Sequence, residues 1–232
     1  MRIKLFADGA DKEGIREMEK NPDIKGFTTN PTLMRKSGIR NYLSFAKEIL
    51  EIVKDKPISF EVFADEFEEM ERQALLISSW GKNVFVKIPV MNTKRKFSYE
   101  LIEKLSKSGV NVNITAIMTL EQIKKISEAV IGGGNCIFSV FAGRIADTGI
   151  DPIPIMKEAL ILIKNLNNVE LLWASPREVL NVYQAEAIGC DIITATNDIL
   201  RKINLKGKDL NDYSHETVKM FYSDAKSAGF EL

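Results

Sequence analysis

Residues 83–116 read NVFVKIPVMNTKRKFSYELIEKLSKSGVNVNITA. The opening run NVFVKIP is short, apolar and of strand length. The middle, SYELIEKLSKSG, repeats its apolar residues at helical spacing, and VNVNITA from Val110 is again strand-like. Strand, helix and strand in this order are the building block of a parallel sheet. The alternation continues in both directions. Further strand candidates are IKLFAD from Ile3, IKGFTT from Ile24, ISFEVFA from Ile58, CIFSVFA from Cys136, VELLWAS from Val169 and DIITAT from Asp191. Together they make about eight, the number a (β/α)8 barrel requires. An open doubly wound sheet alternates in the same way, so periodicity leaves closure undecided. The expectation is an α/β fold: one barrel domain over residues 1–232 with a helix at its end.

Composition agrees. A chain of 232 residues with 45% apolar content fills one barrel-sized core. Its 32 basic and 32 acidic residues cancel, so no basic field is offered to nucleic acid or an anionic membrane. A small anionic ligand needs only a local pair of cations. Cys136 and Cys190 sit in apolar runs without metal-ligand spacing and read as buried thiols. The start, MRIKLFAD, lacks the apolar stretch of a signal peptide, and no run is long enough to span a bilayer. A cytoplasmic protein is expected.

Several helix starts are legible. Asn30 precedes Pro31 as a cap before a first-turn proline. Thr119 to Gln122 and Ser175 to Glu178 fit the capping box. Ser214 to Thr217 is expected to open a last helix ending near Ala228, and Gly132–Gly134 reads as a helix-to-strand turn. Asn30, Thr119 and Ser175 follow strands directly. They therefore mark the carboxyl ends of strands, the face that carries active sites in barrels.

Buried strands should be apolar, because an unpaired buried polar group costs about 1–3 kcal/mol. The exceptions are Asp8, Thr28, Asn30, Glu61, Lys87, Asn113, Thr115, Ser139 and Ser175. They fall near the ends of different strands, and a closed barrel brings those ends together. Lys87 follows Val84, Phe85 and Val86. Burial disfavours an ammonium and leaves an amine able to attack a carbonyl. A strand lysine paired with a partner such as Glu61 is an equal alternative. Asp8 reads either as a proton carrier or as a turn residue with Gly9. Asn113 and Thr115 share one strand face. Arg144 lies in a loop-like context, and Arg177 falls in the first turn of the helix expected after Ser175, where a cation suggests a nearby anion. Lys94–Lys96 reads as a solvated loop. The single histidine, His215, lies far from the strand-end residues, so the chemistry is expected to run without it.

The segments GFTTNPTL, FEVFA, VFVKIPV, GVNVNITAI, SVFAGRI and WASPREV, in this order and spacing, resemble those of transaldolases. The likeness is to the short subfamily that includes fructose-6-phosphate aldolases, and it runs from KLFAD to about Lys202. It implies a (β/α)8 barrel with a Schiff-base lysine on the fourth strand, which is Lys87. It implies Asp8 as acid and base for the C4 hydroxyl, and Glu61 and Thr115 as holders of a catalytic water. It implies Asn30, Asn113 and Ser139 as ligands of the dihydroxyacetone unit, and Arg144, Ser175 and Arg177 as the phosphate grip. The aldolase branch resembles a pattern with glutamine and tyrosine where this chain has Glu61 and Phe141, so transaldolase is favoured. Aldol cleavage and a non-catalytic sugar-phosphate-binding barrel are the alternatives. No metal or organic cofactor is implied, and a homo-oligomer acting on small sugar phosphates is expected. Pro176, Ala146 and the stretch from Leu210 depart from the family pattern.

Overall fold

The computed structural model describes residues 1–231. Strands β1 (Lys4–Asp8), β2 (Ile24–Thr28), β3 (Ile58–Glu61), β4 (Val84–Pro89), β5 (Val112–Ile117), β6 (Cys136–Val140), β7 (Val169–Trp173) and β8 (Ile192–Ala195) pair in chain order. All neighbours are parallel, and β8 closes onto β1 from Lys4↔Ile192 to Ala7↔Ala195. The fold is a (β/α)8 barrel, and each strand segment expected from the sequence is a strand. Between strands run α1 (Lys12–Glu19), α2 (Pro31–Lys36), α3 (Tyr42–Ile52), α4 (Phe67–Ser78), α5 (Tyr99–Lys107) and α6 (Leu120–Ala129). The chain continues through α7 (Ala142–Asp147), α8 (Pro152–Ile163), α9 (Leu180–Ala187), α10 (Asn197–Lys202) and α11 (Leu210–Ala228). From Arg201 the chain forms a separate compact part, in which α11 buries none of its residues.

Two of the expected helix starts hold. Asn30 caps α2, accepting the Leu33 N–H at 2.9 Å, and Thr119 with Gln122 forms a complete capping box on α6. Two need correction. Ser175 has φ of +60°, not the extended backbone of a cap, and α9 begins only at Leu180. The Asn181 side chain instead gathers the Arg177 and Glu178 N–H groups at 2.8 and 3.2 Å. Arg177 therefore lies in a loop, and no helix dipole opposes it. The last helix starts at Leu210, before Ser214, because the Asp209 carboxylate accepts from the Asn211 and Asp212 N–H groups. Its end at Ala228 is as expected, closed by Gly229 at φ +67°.

Period-two alternation layers the barrel interior. One face of the strands carries Phe6, Gly26, Phe85, Ile137, Leu172 and Ile192; Phe6, Ile137, Leu172 and Ile192 pack as one apolar cluster with Phe85 against it. A Cβ on Gly26 would meet the Phe6 ring at 2.4 Å, so glycine there leaves room for the ring. Two residues further along the same face come Asp8, Thr28, Lys87, Ser139 and Thr194. The apolar layer thus floors a polar one at the carboxyl ends of the strands. The opposite strand faces, such as Val84, Val86 and Ile88, are buried too.

Candidate active site

The polar layer opens into a cavity of about 440 Å3. Asp8, Asn30, Glu61, Lys87, Thr115, Ser139, Phe141, Arg144 and Ser175 line it, as do Thr28 and Thr194. Lys87 is only 6% exposed. Its Nζ donates to the Thr29 carbonyl at 2.9 Å and lies 3.2 Å from Glu61 Oε2. The register Glu61↔Lys87 puts the two side by side on neighbouring strands. An unpaired buried ammonium would cost several kcal/mol, and Glu61 offsets that cost. The ion pair weighed from sequence is therefore real, and it stands at the cavity wall.

Asp8 completes a group of one amine and two carboxylates. Thr28 Oγ1 donates to Asp8 Oδ1 at 2.8 Å, and the Asn30 amide donates to Oδ2 at 3.3 Å. Burial pushes the Asp8 carboxyl up from the usual aspartate value. The Lys87 charge and the bonds from Thr28 and Asn30 oppose that rise, and the Glu61 charge adds to it. A carboxyl so placed exchanges its proton nearer neutrality than an ordinary aspartate does.

On β5 the pairing with β6 slips between Ile114 and Ile117, and Ala116 takes a φ of +61°. Thr115, two residues after Asn113 on the same strand face, lines the cavity, and its buried Oγ1 has no hydrogen-bond partner. Ser139 donates to Asn113 Oδ1 at 2.6 Å, and the Asn113 amide donates to Ser59 Oγ at 3.0 Å. Asn113 is fully buried and lies beneath the cavity wall rather than on it.

The cations sit at the rim. Arg144 on α7 lines the cavity with its guanidinium 5.9 Å from the centroid of Phe141. Arg177 is outside the wall: its Nε donates to Asp147 Oδ1 at 3.0 Å and its Nη2 to Oδ2. Those bonds hold the Asp147 carboxyl below the usual aspartate range. Ser175 is fixed by a close approach of chains. A Cβ on Gly143 would fall 1.5 Å from the Ser175 carbonyl oxygen. We expect Gly143→Ala to lower stability by about 1–3 kcal/mol, read as a lower urea midpoint.

Thr194 and Ser59 escaped the sequence reading. Thr194 Oγ1 lies 2.5 Å from Thr28 Oγ1, extending the Asp8 network onto β8. The signal was present, since Thr194 interrupts the apolar run IITA as Ser59 interrupts ISFE. Lys94–Lys96 is an exposed turn, and His215 is exposed on α11. Burial pushes the Cys136 thiol up to about 11 and Cys190 to about 12, which suits neither to act as a nucleophile. Among the described residues no helix is long and apolar enough to cross a membrane, and no His, Cys, Asp and Glu cluster is placed to hold a metal ion.

A family model described as transaldolase/fructose-6-phosphate aldolase matches residues 5–232. The match extends over the C-terminal stretch that the motifs leave uncovered. A protein of Chelativorans sp. (strain BNC1) described as a probable transaldolase is 37% identical over 202 residues, covering 87% of this chain and 88% of that one. Another probable transaldolase, from Thermoanaerobacter sp. (strain X514), is 32% identical over 231 residues, covering 99% of this chain and 100% of the relative. Among solved structures, KGPDC from Streptococcus mutans superposes with a TM-score of 0.56 over 86% of this chain and 90% of that one. At 10% identity that likeness concerns the barrel alone.

Proposed function

The chain belongs to the transaldolase/fructose-6-phosphate aldolase family, and we propose that it is a transaldolase working through a Schiff base on Lys87. It moves a dihydroxyacetone unit from a ketose phosphate, sedoheptulose 7-phosphate or fructose 6-phosphate, to an aldose phosphate. The observation that carries this reading is the Lys87 amine at the cavity wall, 3.2 Å from Glu61. Asp8, with its raised carboxyl pKa, lines the same cavity.

The steps follow from the groups present. Lys87 passes its proton to Glu61, its amine adds to the ketose carbonyl, and the same proton leaves with the carbonyl oxygen as water, giving the protonated imine. Asp8 takes the C4 hydroxyl proton as the C3–C4 bond breaks, and the aldehyde phosphate leaves. The protonated imine nitrogen draws in the electrons, leaving a neutral three-carbon enamine on Lys87. That carbon attacks the acceptor aldehyde while Asp8 returns a proton. Glu61 and the unpartnered Thr115 hydroxyl hold the water that enters and leaves at the imine. Asn30 and Ser139 line the cavity and bind the hydroxyls and carbonyl of the donor, with Asn113 fixing Ser139 from below. Arg144 and Ser175 grip the phosphate, and Arg177 joins them by exchanging Asp147 for the ligand.

Retention of the three-carbon unit is the point of decision. Glu61 and Phe141 favour transfer over release. In fructose 6-phosphate without acceptor, borohydride should fix a three-carbon adduct on the peptide containing Lys87, with little free dihydroxyacetone. Free dihydroxyacetone accumulating at the rate of transfer would replace this reading with the aldolase. Glu61→Gln combined with Phe141→Tyr is expected to raise release relative to transfer about tenfold, a shift of ~1.4 kcal/mol between two barriers. Enzymatic measurement of both products checks it.

A homo-oligomer belongs to the same reading. Leu210, Val218, Phe221, Tyr222 and Phe230 are all more than half exposed, an apolar surface suited to a second copy. Light scattering coupled to size exclusion should give a mass above the 26.1 kDa of one chain.

A further inference from the structure

Strand β3 loses its neighbour on one side where the site begins. Ser59 faces β2 and accepts the Thr29 N–H at 3.1 Å. In a parallel ladder the next residue to face β2 is Glu61. Its N–H would go to the Thr29 carbonyl, and its own carbonyl would accept the N–H of residue 31. Neither bond forms. Residue 31 is proline and has no N–H, and β2 has turned into α2. The Thr29 carbonyl instead accepts from Lys87 Nζ at 2.9 Å.

One atom takes the place of both missing partners. The Tyr42 hydroxyl, in the first turn of α3, accepts the Glu61 N–H at 2.9 Å and donates to the Glu61 carbonyl at 2.8 Å. Its ring packs with Phe63 and Trp80 at centroid distances of 5.5 and 6.0 Å, and with Phe60 at 6.4 Å. Burial pushes the phenol well above its ordinary pKa, so the hydroxyl keeps the proton it donates.

We infer that Tyr42 is a positioning residue for Lys87: by standing in for strand pairing at Glu61, it sets the Glu61 carboxylate beside the amine and leaves the Thr29 carbonyl free to accept from it. Without the hydroxyl, the Glu61 N–H competes for Thr29 and the carboxylate loses its anchor. Tyr42 touches neither the amine nor the cavity. Its effect travels through the two groups that hold Lys87 Nζ.

The test reads Lys87 directly. Wild type, Tyr42→Phe, Glu61→Gln and the double variant are treated with formaldehyde and cyanoborohydride at one pH. Methylation of Lys87 is followed by peptide mass spectrometry, and the thermal midpoint of each variant is recorded. Tyr42→Phe keeps the ring and should speed labelling about threefold or more, since the ammonium loses support from both partners. In the double variant the increase should fall short of the product of the single increases, as expected when two residues act through one another. Labelling of Tyr42→Phe within about 1.5-fold of wild type, or factors that simply multiply, would overturn the inference. If Tyr42→Phe does not fold, 4-aminophenylalanine at position 42 keeps the donor with a poorer acceptor. It should then give a smaller increase, and no increase would count against the inference. A kinetic arm rests on the transaldolase reading: kcat should fall about tenfold in Tyr42→Phe with KM for the ketose phosphate held. A wild type that yields no borohydride adduct removes that reading alone, because labelling still decides the role of Tyr42.

Discussion

Lys87→Met is expected to form no borohydride-trapped adduct and to lower transfer by about 10^4-fold or more. Methionine matches the length of the lysine stem and suits the apolar strand of Val84, Val86 and Ile88, so the barrel should form. What disappears is the one amine that the described residues place at the cavity wall. Asp8, Glu61 and Thr115 remain, but without an imine the electrons of the breaking C3–C4 bond have nowhere to go. Circular dichroism checks the fold, and a coupled assay with fructose 6-phosphate and erythrose 4-phosphate checks transfer. Retention of more than about a tenth of the activity would sink the covalent mechanism.

Asp8→Asn is expected to cost about 10^2–10^4-fold in kcat and to change what is trapped. Imine formation at Lys87 does not need the Asp8 proton, whereas cleavage does. Borohydride should therefore fix the whole six-carbon ketose phosphate on Lys87 in place of the three-carbon unit. A three-carbon adduct formed at the wild-type rate would remove Asp8 from its role. The pH profile carries a second sign. Cleavage needs Asp8 ionised, and burial holds its carboxyl above the usual aspartate value. The acid limb of kcat should thus lie at higher pH than an ordinary aspartate would give, with activity lost as pH falls through it. The same shift keeps a proton available for the condensation step nearer neutrality.

The strand segments and most candidate site residues were legible because each depends on a local pattern. A lysine in VFVKIPV, an aspartate ending KLFAD and a glutamate in ISFE break the apolar code of a buried strand wherever the strand ends up. Asn30 before Pro31 and Thr119 before Gln122 cap helices through bonds spanning three residues. Where bonding reached further, the local reading failed. The Ser175 motif fits a capping box, yet the close approach of Gly143 accompanies a left-handed turn, and Asn181 collects the N–H groups instead. Arg177 accordingly pairs with Asp147 across thirty residues of sequence rather than opening a helix.

Sequence by itself determined the alternation of strands and helices, the identity of the polar strand ends and, through the ordered motifs, the family. Only the tertiary structure decided that the sheet closes, because pairing of β1 with β8 joins residues almost two hundred positions apart. It also decided which polar residues meet. Thr194 reaches the Asp8 network, Asn113 drops beneath the wall, and Tyr42 holds Glu61 through a hydroxyl that no strand pattern announces. Periodicity records which way a side chain faces along its own strand. The register between strands, fixed by bonds among distant residues, selects its neighbours.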